Sequence, residues 1–146
     1  MTDLETGNKL DIENKYIMSP KDLCTIEFMD KIIDAGVKVF KIEGRARSAE
    51  YVKRCAQCYR AAADAVCEGR YTPELAGKLK DSLSEVFNRG FWDGYYQGAY
   101  LGQWSEVYGS QAKLKKVYVG KVTNWFDKIG VAEILVESAP LQKGDK

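Results

Sequence analysis

The chain has 146 residues, 45% of them apolar, which is enough for one ordinary domain or two small ones and excludes disorder. Its 22 basic and 21 acidic side chains nearly cancel, so no global field draws it to nucleic acid or an anionic membrane. It contains no histidine, which removes Ser-His-Asp and Cys-His nucleophiles, His-ligated zinc and imidazole acid/base chemistry from this chain, while a carboxylate pair or a lysine base stays open.

No apolar run approaches the roughly 18 residues that span a bilayer, and the acidic start Met1-Thr2-Asp3-Leu4-Glu5 is unlike a signal peptide, so no membrane partner is expected. A cytoplasmic protein is the expectation. Four cysteines without an export signal read as thiols or metal ligands rather than a disulfide framework.

The first segment, to about Asn14, is polar, with a turn at Thr6-Gly7-Asn8. Tyr16-Ile17-Met18 reads as a short strand. It stops at Ser19-Pro20-Lys21-Asp22, where an S-x-x-D box with Pro in the first turn signals a helix start. Ile26, Met29, Ile32 and Ile33 recur at helical spacing, and Gly36 suits a left-handed C-terminal cap. Val37 to Ile42 is a β-rich run ended by Glu43-Gly44-Arg45, after which Ser48 caps a helix carrying Tyr51, Val52, Cys55, Cys58, Tyr59, Ala62 and Val66 and ending near Gly69. Thr72-Pro73-Glu74 starts a further helix, with Leu75, Leu79, Leu83, Val86 and Phe87 apolar and Gly90 as its stop.

This strand-helix-strand-helix order calls for a parallel sheet whose edges need partners, so an upstream, N-terminal part of the same protein is expected to be missing. From Phe91 to Gly109 the chain is rich in Gly and aromatic residues and reads as a linker that packs by its rings; few basic residues interleave with them, which weighs against base stacking. Strands return at Val117 to Trp125 and Ile129 to Glu137 around a turn at Phe126-Asp127-Lys128, and Pro140 to Asp145 looks like the approach to another strand. The expected organisation is therefore residues 1–90 as α/β units, 91–115 as linker, and 116–146 as the start of a small β-barrel.

Two strings are distinctive: Tyr16-Ile17-Met18-Ser19-Pro20-Lys21-Asp22-Leu23-Cys24, and Phe40-Lys41-Ile42-Glu43-Gly44-Arg45 followed by Ser48-Ala49-Glu50-Tyr51-Val52. Together they resemble peptidase family U32, the collagenase-like peptidases, from near residue 1 to about residue 110. The resemblance implies an α/β fold: the last two βα units of a TIM-like barrel, an additional helix, and then a truncated small β-barrel. Chemistry in such barrels gathers at the C-terminal ends of strands, here Met18-Ser19 and Glu43-Gly44-Arg45.

The family label implies a protease, with this chain a fragment not catalytic alone. Some members resemble iron–sulfur proteins that support hydroxylation of RNA bases or quinone precursors, which makes the parent either a peptidase or such a hydroxylase, and its substrate a peptide or RNA. By motif, Cys24 corresponds to the last cluster ligand, so a cluster is implied for the full-length parent and none for this chain by itself. A third reading is a structural module that closes the barrel.

Each candidate has a plainer alternative. Cys24, expected in the first turns of a helix where the dipole favours a thiolate, is otherwise a buried small hydrophobe. Cys55-x-x-Cys58 falls mid-helix without further ligands and reads as core packing, with Cys67 about 13 Å beyond Cys58 by helical rise. Glu43, Arg45 and Arg47, with Arg54, lie near the capped helix start and are candidates for holding a phosphate or carboxylate of a substrate, against a structural ion pair of Glu43. Arg89, Lys113, Lys115 and Lys116 read as solvated surface charges, the lysines being able to touch an RNA backbone.

Overall fold

A computed structural model describes residues 2–9 and 18–145. The described residues are mixed α/β, with three α-helices and two small sheets among them, and the chain divides into one compact unit ending at Leu114 and another beginning at Lys115. Tyr16 and Ile17 of the expected first strand lie outside the described residues, and Met18 is in a turn.

The helix expected from Ser19 does not form. Ser19 to Cys24 is held between two flanking segments instead. On one side Lys21 N–H donates to Gln103 O and Ser105 N–H to Ser19 O; on the other, Asp22 N–H donates to Gly90 O and Cys24 N–H to Trp92 O. Within it β1 (Asp22–Leu23) pairs in parallel with β2 (Phe91–Trp92), and Pro20 bridges Trp104. Proline tolerates this place because it has no N–H to leave unpaired. The local capping signal of Ser19-x-x-Asp22 is thus overridden by long-range backbone pairing.

Helical structure begins six residues later, with a 3₁₀ turn (Ile26–Phe28) leading into α1 (Met29–Asp34). Neither start carries a side-chain cap. Gly36, at φ +89°, ends it as expected, with Gly36 N–H donating to Ile33 O and Val37 N–H to Ile32 O.

Val37 to Ile42 joins no sheet among the described residues, and Val39 is 83% exposed. A β-rich sequence becomes a strand only when a neighbouring backbone takes its hydrogen bonds, and among the described residues none pairs with this run.

The two later helices follow their local signals. Ser48 Oγ accepts from Tyr51 N–H at the start of α2 (Ala49–Cys67), and Gly69 follows it at φ +69°. Thr72 Oγ1 accepts from Leu75 N–H at the start of α3 (Pro73–Ser84), with Pro73 in its first position. α3 stops at Ser84, short of Gly90, because Asn88 turns the chain: its side-chain amide donates to Ser84 O and Val86 O and its oxygen accepts from Gly90 N–H.

The core of the first unit is built from Ile26 and Met29, fully buried, packed on Cys55, Cys58 and Ala62 of α2, Leu83 of α3, and Cys24. Residues 91 to 114 close over this unit through β2, the Trp104 bridge and the bond from Gln111 N–H to Asn88 O.

The second unit is an antiparallel hairpin of β3 (Gly120–Phe126) and β4 (Val131–Val136), with a bulge between Val122 and Asn124. Both strands are shorter than expected, and the turn centres on Asp127 to Gly130. The bulge keeps Val122, Trp125, Ile134 and Val136 on one apolar face. Gly120 is required: a Cβ there would stand 1.9 Å from Leu135 O.

Candidate functional site

A cavity of about 720 Å³ opens where the end of β1, the run from Val37 to Arg47, and α2 approach one another. Its lining includes Cys24, Glu43, Arg45 and Arg47, the residues singled out from the sequence. It also includes three charged residues that were not, Asp22, Lys41 and Arg89.

Asp22 organises the wall. Its Oδ1 accepts from Arg47 Nη2 at 3.0 Å and Arg89 Nη2 at 3.1 Å, and its Oδ2 accepts from Arg89 N–H at 3.0 Å. The Asp22 and Arg47 side chains are only 14% and 16% exposed, so this pairing is better shielded than a surface ion pair. Arg47 lies over the ring of Phe87 at 4.2 Å and near Tyr51 at 5.4 Å, which fixes the plane of its guanidinium. Arg89 is therefore a partner in a three-residue cluster rather than a solvated charge. Its separation from Asp22 by 67 residues hid it from local reading.

Glu43 does something different. Its Oε1 accepts from Arg45 N–H at 2.7 Å, a bond that holds its carboxyl below the ordinary value and closes the turn on itself. No salt bridge engages Glu43 among the described residues. Gly44 is needed at this turn because a Cβ would come within 2.7 Å of Val52 Cγ2 on the first turns of α2. Ala46 takes a left-handed φ of +58°, an uncommon conformation for a residue with a side chain, and it lines the same cavity. Arg54, the third basic candidate, points elsewhere: it binds Glu85 at 3.1 Å and Ser82 Oγ at 2.7 Å.

Cys24 is not at a helix N-terminus, since it follows β1 and the 3₁₀ turn starts only at Ile26. The dipole argument for its thiolate fails with that. Burial pushes the Cys24 thiol above its ordinary value, opposed by the Ile26 amide and by Tyr59, whose hydroxyl donates to Sγ at 3.9 Å. Tyr59 is fixed in turn by Thr25 N–H, which donates to its oxygen at 2.9 Å. Cys55 and Cys58 are buried in the core cluster, and burial raises both thiols too. Among the described residues no group of three or more His, Cys, Asp or Glu side chains is gathered so as to hold a metal ion.

Of the lysines, Lys113 pairs with Asp81 at 2.8 Å. No helix among the described residues is long and apolar enough to cross a membrane.

Residues 2–106 match the profile of Peptidase family U32. The chain is 55% identical over 144 residues to a collagenase of Porphyromonas gingivalis, covering 99% of this chain and 35% of that protein. It is 40% identical over 126 residues to an uncharacterized protease of Methanocaldococcus jannaschii, covering 84% and 30%. It is 31% identical over 129 residues to tRNA hydroxylation protein P of Haemophilus influenzae, covering 88% and 27%. The chain spans about a third of the length of these relatives. No solved structure matches it significantly.

Proposed function

The chain belongs to peptidase family U32, and we propose that it supplies the substrate-binding wall of a collagenase-like peptidase whose catalytic centre is completed by other parts of a longer protein. One observation carries this reading: Glu43 and Arg45 from one motif, with Arg47 beside it, and Asp22 and Cys24 from the other converge on a single cavity. Arg45 and Arg47 contact the substrate, and Glu43 shapes the turn that presents them. A sequence without histidine offers this wall no imidazole base.

In the same reading, the stretch up to about residue 90 forms the last two βα units of a TIM-like barrel. The β-rich run Val37 to Ile42, which has no sheet partner among the described residues, becomes the final barrel strand beside an N-terminal part of the protein. Residues 116–146 then begin a small β-barrel around the apolar face of the β3–β4 hairpin. A cytoplasmic setting fits four cysteines that are all free thiols.

The test compares gelatin and casein cleavage by this chain and by the longer protein. The chain alone is expected to be inert. In the longer protein, Arg45→Ala is expected to raise KM about ten- to a hundredfold with kcat little changed, as loss of a charge-assisted bond requires. Cleavage by the isolated chain that disappears when one of its carboxylates is replaced would overturn the proposal.

A second reading is favoured by the position of Cys24, buried at a strand end on the cavity with a tyrosine hydroxyl on its sulfur, and by the relative named for tRNA hydroxylation. There Cys24 is one ligand of an iron–sulfur cluster whose other thiolates lie outside this chain, and RNA is the substrate. Cys24→Ser in the longer protein then removes or weakens the cluster's visible absorption while Arg45→Ala spares it. An unchanged spectrum after anaerobic reconstitution sinks this alternative.

A further inference from the structure

We propose that Arg47 and Arg89 together form a seat for a single carboxylate, and that the seat takes the free C-terminal carboxylate of a peptide whose last side chain is apolar. The proposal rests on the substrate-wall reading above and deepens it, naming Arg89 and Asp22 as parts of the receptor.

The argument begins with charge. Asp22 is one carboxylate shared by two guanidiniums, so their cluster keeps one uncompensated positive charge in a partly buried place. Around the whole cavity, four cationic side chains (Lys41, Arg45, Arg47 and Arg89) face two anionic ones, Asp22 and Glu43. Glu43 is already engaged with the Arg45 amide. A ligand with one negative charge therefore completes the cluster that Asp22 leaves half neutralised.

Donors point the same way. A guanidinium carries five N–H bonds, and the bond that each of these makes to Asp22 uses one Nη2 donor. Arg89 Nε is buried and has no hydrogen-bond partner among the described residues. Asp22 pins both heads from one side, and Phe87 fixes the plane of Arg47, so little side-chain freedom remains to be lost when an anion docks. Asp22 is thus a positioning residue, and the two arginines are the contacts.

The rest of the lining decides what the anion is attached to. Phe40, Ile42, Leu83, Phe91 and Tyr96 make the remaining wall largely apolar or aromatic. A cavity of this volume falls within the usual range for small ligands and has room for a peptide end rather than a folded chain. An RNA backbone is the poorer match, because phosphate binding along a strand needs a track of cations, and here the cations sit around one cavity in a chain of net charge +1. A planar carboxylate also suits the two-pronged bonding that a guanidinium offers.

The test uses this 146-residue chain and needs no turnover. Acetylated alanyl-alanyl-leucine, the same peptide as its C-terminal amide, cytidine 5′-monophosphate and inorganic phosphate are titrated while arginine side-chain N–H resonances are followed by NMR. The free acid is expected to shift the Arg47 and Arg89 signals and to bind at least about tenfold more tightly than the amide. Arg89→Gln and Arg47→Lys are each expected to weaken it about ten- to a hundredfold, with circular dichroism confirming the fold. The remote Lys80→Gln is expected to change nothing.

Equal binding of acid and amide would reduce the site to an apolar cavity and overturn the proposal. Preferential, Arg89-dependent binding of the nucleotide would make it a phosphate site instead, and no shift with any probe would remove the seat altogether. Because binding is read on this chain, a longer protein that proves not to be a peptidase leaves the seat standing, and loss of the seat leaves the peptidase test undecided by it.

Discussion

Gly44→Ala is expected to destabilise the first unit through one contact, and that contact can be isolated. The new Cβ would lie 2.7 Å from Val52 Cγ2, short of the 3.4 Å lower edge of ordinary contact by 0.7 Å. Valine in a helix keeps essentially one χ1 rotamer, so Val52 cannot simply turn away and the Glu43-Gly44-Arg45 turn must move. Overpacking of this kind costs about 1 to 3 kcal/mol. Against it stands a gain of about 0.4 to 1 kcal/mol from a stiffer unfolded chain, since Gly44 does not occupy a left-handed φ. The expected net loss is about 0 to 2.6 kcal/mol, centred on about 1.3 kcal/mol. Val52→Ala removes the clashing methyl from a side chain that is 42% exposed, at a cost of roughly 1 kcal/mol or less by the area it buries. The double variant should therefore be more stable than the sum of the single losses by about 1 to 3 kcal/mol. Urea unfolding followed by the helical circular-dichroism signal measures all four corners of the cycle. Additivity within about 0.3 kcal/mol would refute the close-approach explanation of this glycine.

Two further predictions concern the thiols. In the folded chain iodoacetamide is expected to label exposed Cys67 first and to reach buried Cys24, Cys55 and Cys58 only in denaturant, as peptide mass mapping would read; early labelling of Cys24 would contradict its burial. Cys55→Ala with Cys58→Ala is expected to leave metal content unchanged and to cost about 1 to 3 kcal/mol, and it should also flatten the alkaline loss of stability. The sign follows from burial raising these thiols above their ordinary 9.0: their contribution is whole below that pH and is lost as pH rises through their folded values, because the unfolded chain releases the protons first. Urea midpoints across that range check it, and a double variant with an undiminished alkaline slope would contradict it.

What could be read from the sequence was whatever a few neighbouring residues settle among themselves. Ser48 and Thr72-Pro73 start helices, and Gly36 and Gly69 end them, because the cap needs only residues within a turn. Ser19-x-x-Asp22 carries the same signature and fails, since the backbone of residues 19–24 finds partners at 90–92 and 103–105. The Asp22 carboxylate that would have completed the box is instead turned to Arg47 and Arg89. This one misreading hid Asp22, the centre of the site's three-residue charge cluster. Asn88 likewise ends α3 early, and by doing so it directs Arg89 back toward Asp22, a consequence that no periodicity in the helix announces.

The relocation of Cys24 changes what its sulfur can do. At a helix N-terminus it would have been a candidate nucleophile, with free amides favouring the thiolate. At the end of β1 its own N–H is spent on Trp92 O, and burial keeps the thiol protonated against the smaller pull of Ile26 and Tyr59. A protonated, buried thiol attacks nothing, so peptidase chemistry by Cys24 is disfavoured by the same features that bring it to the cavity. A bound cation reverses that balance, because coordination deprotonates a thiol outright. Cys24 packs the core against Tyr59, and in the second reading proposed above it would also serve as one ligand of a cluster. The hydroxyl of Tyr59 serves either role, donating to the sulfur in both.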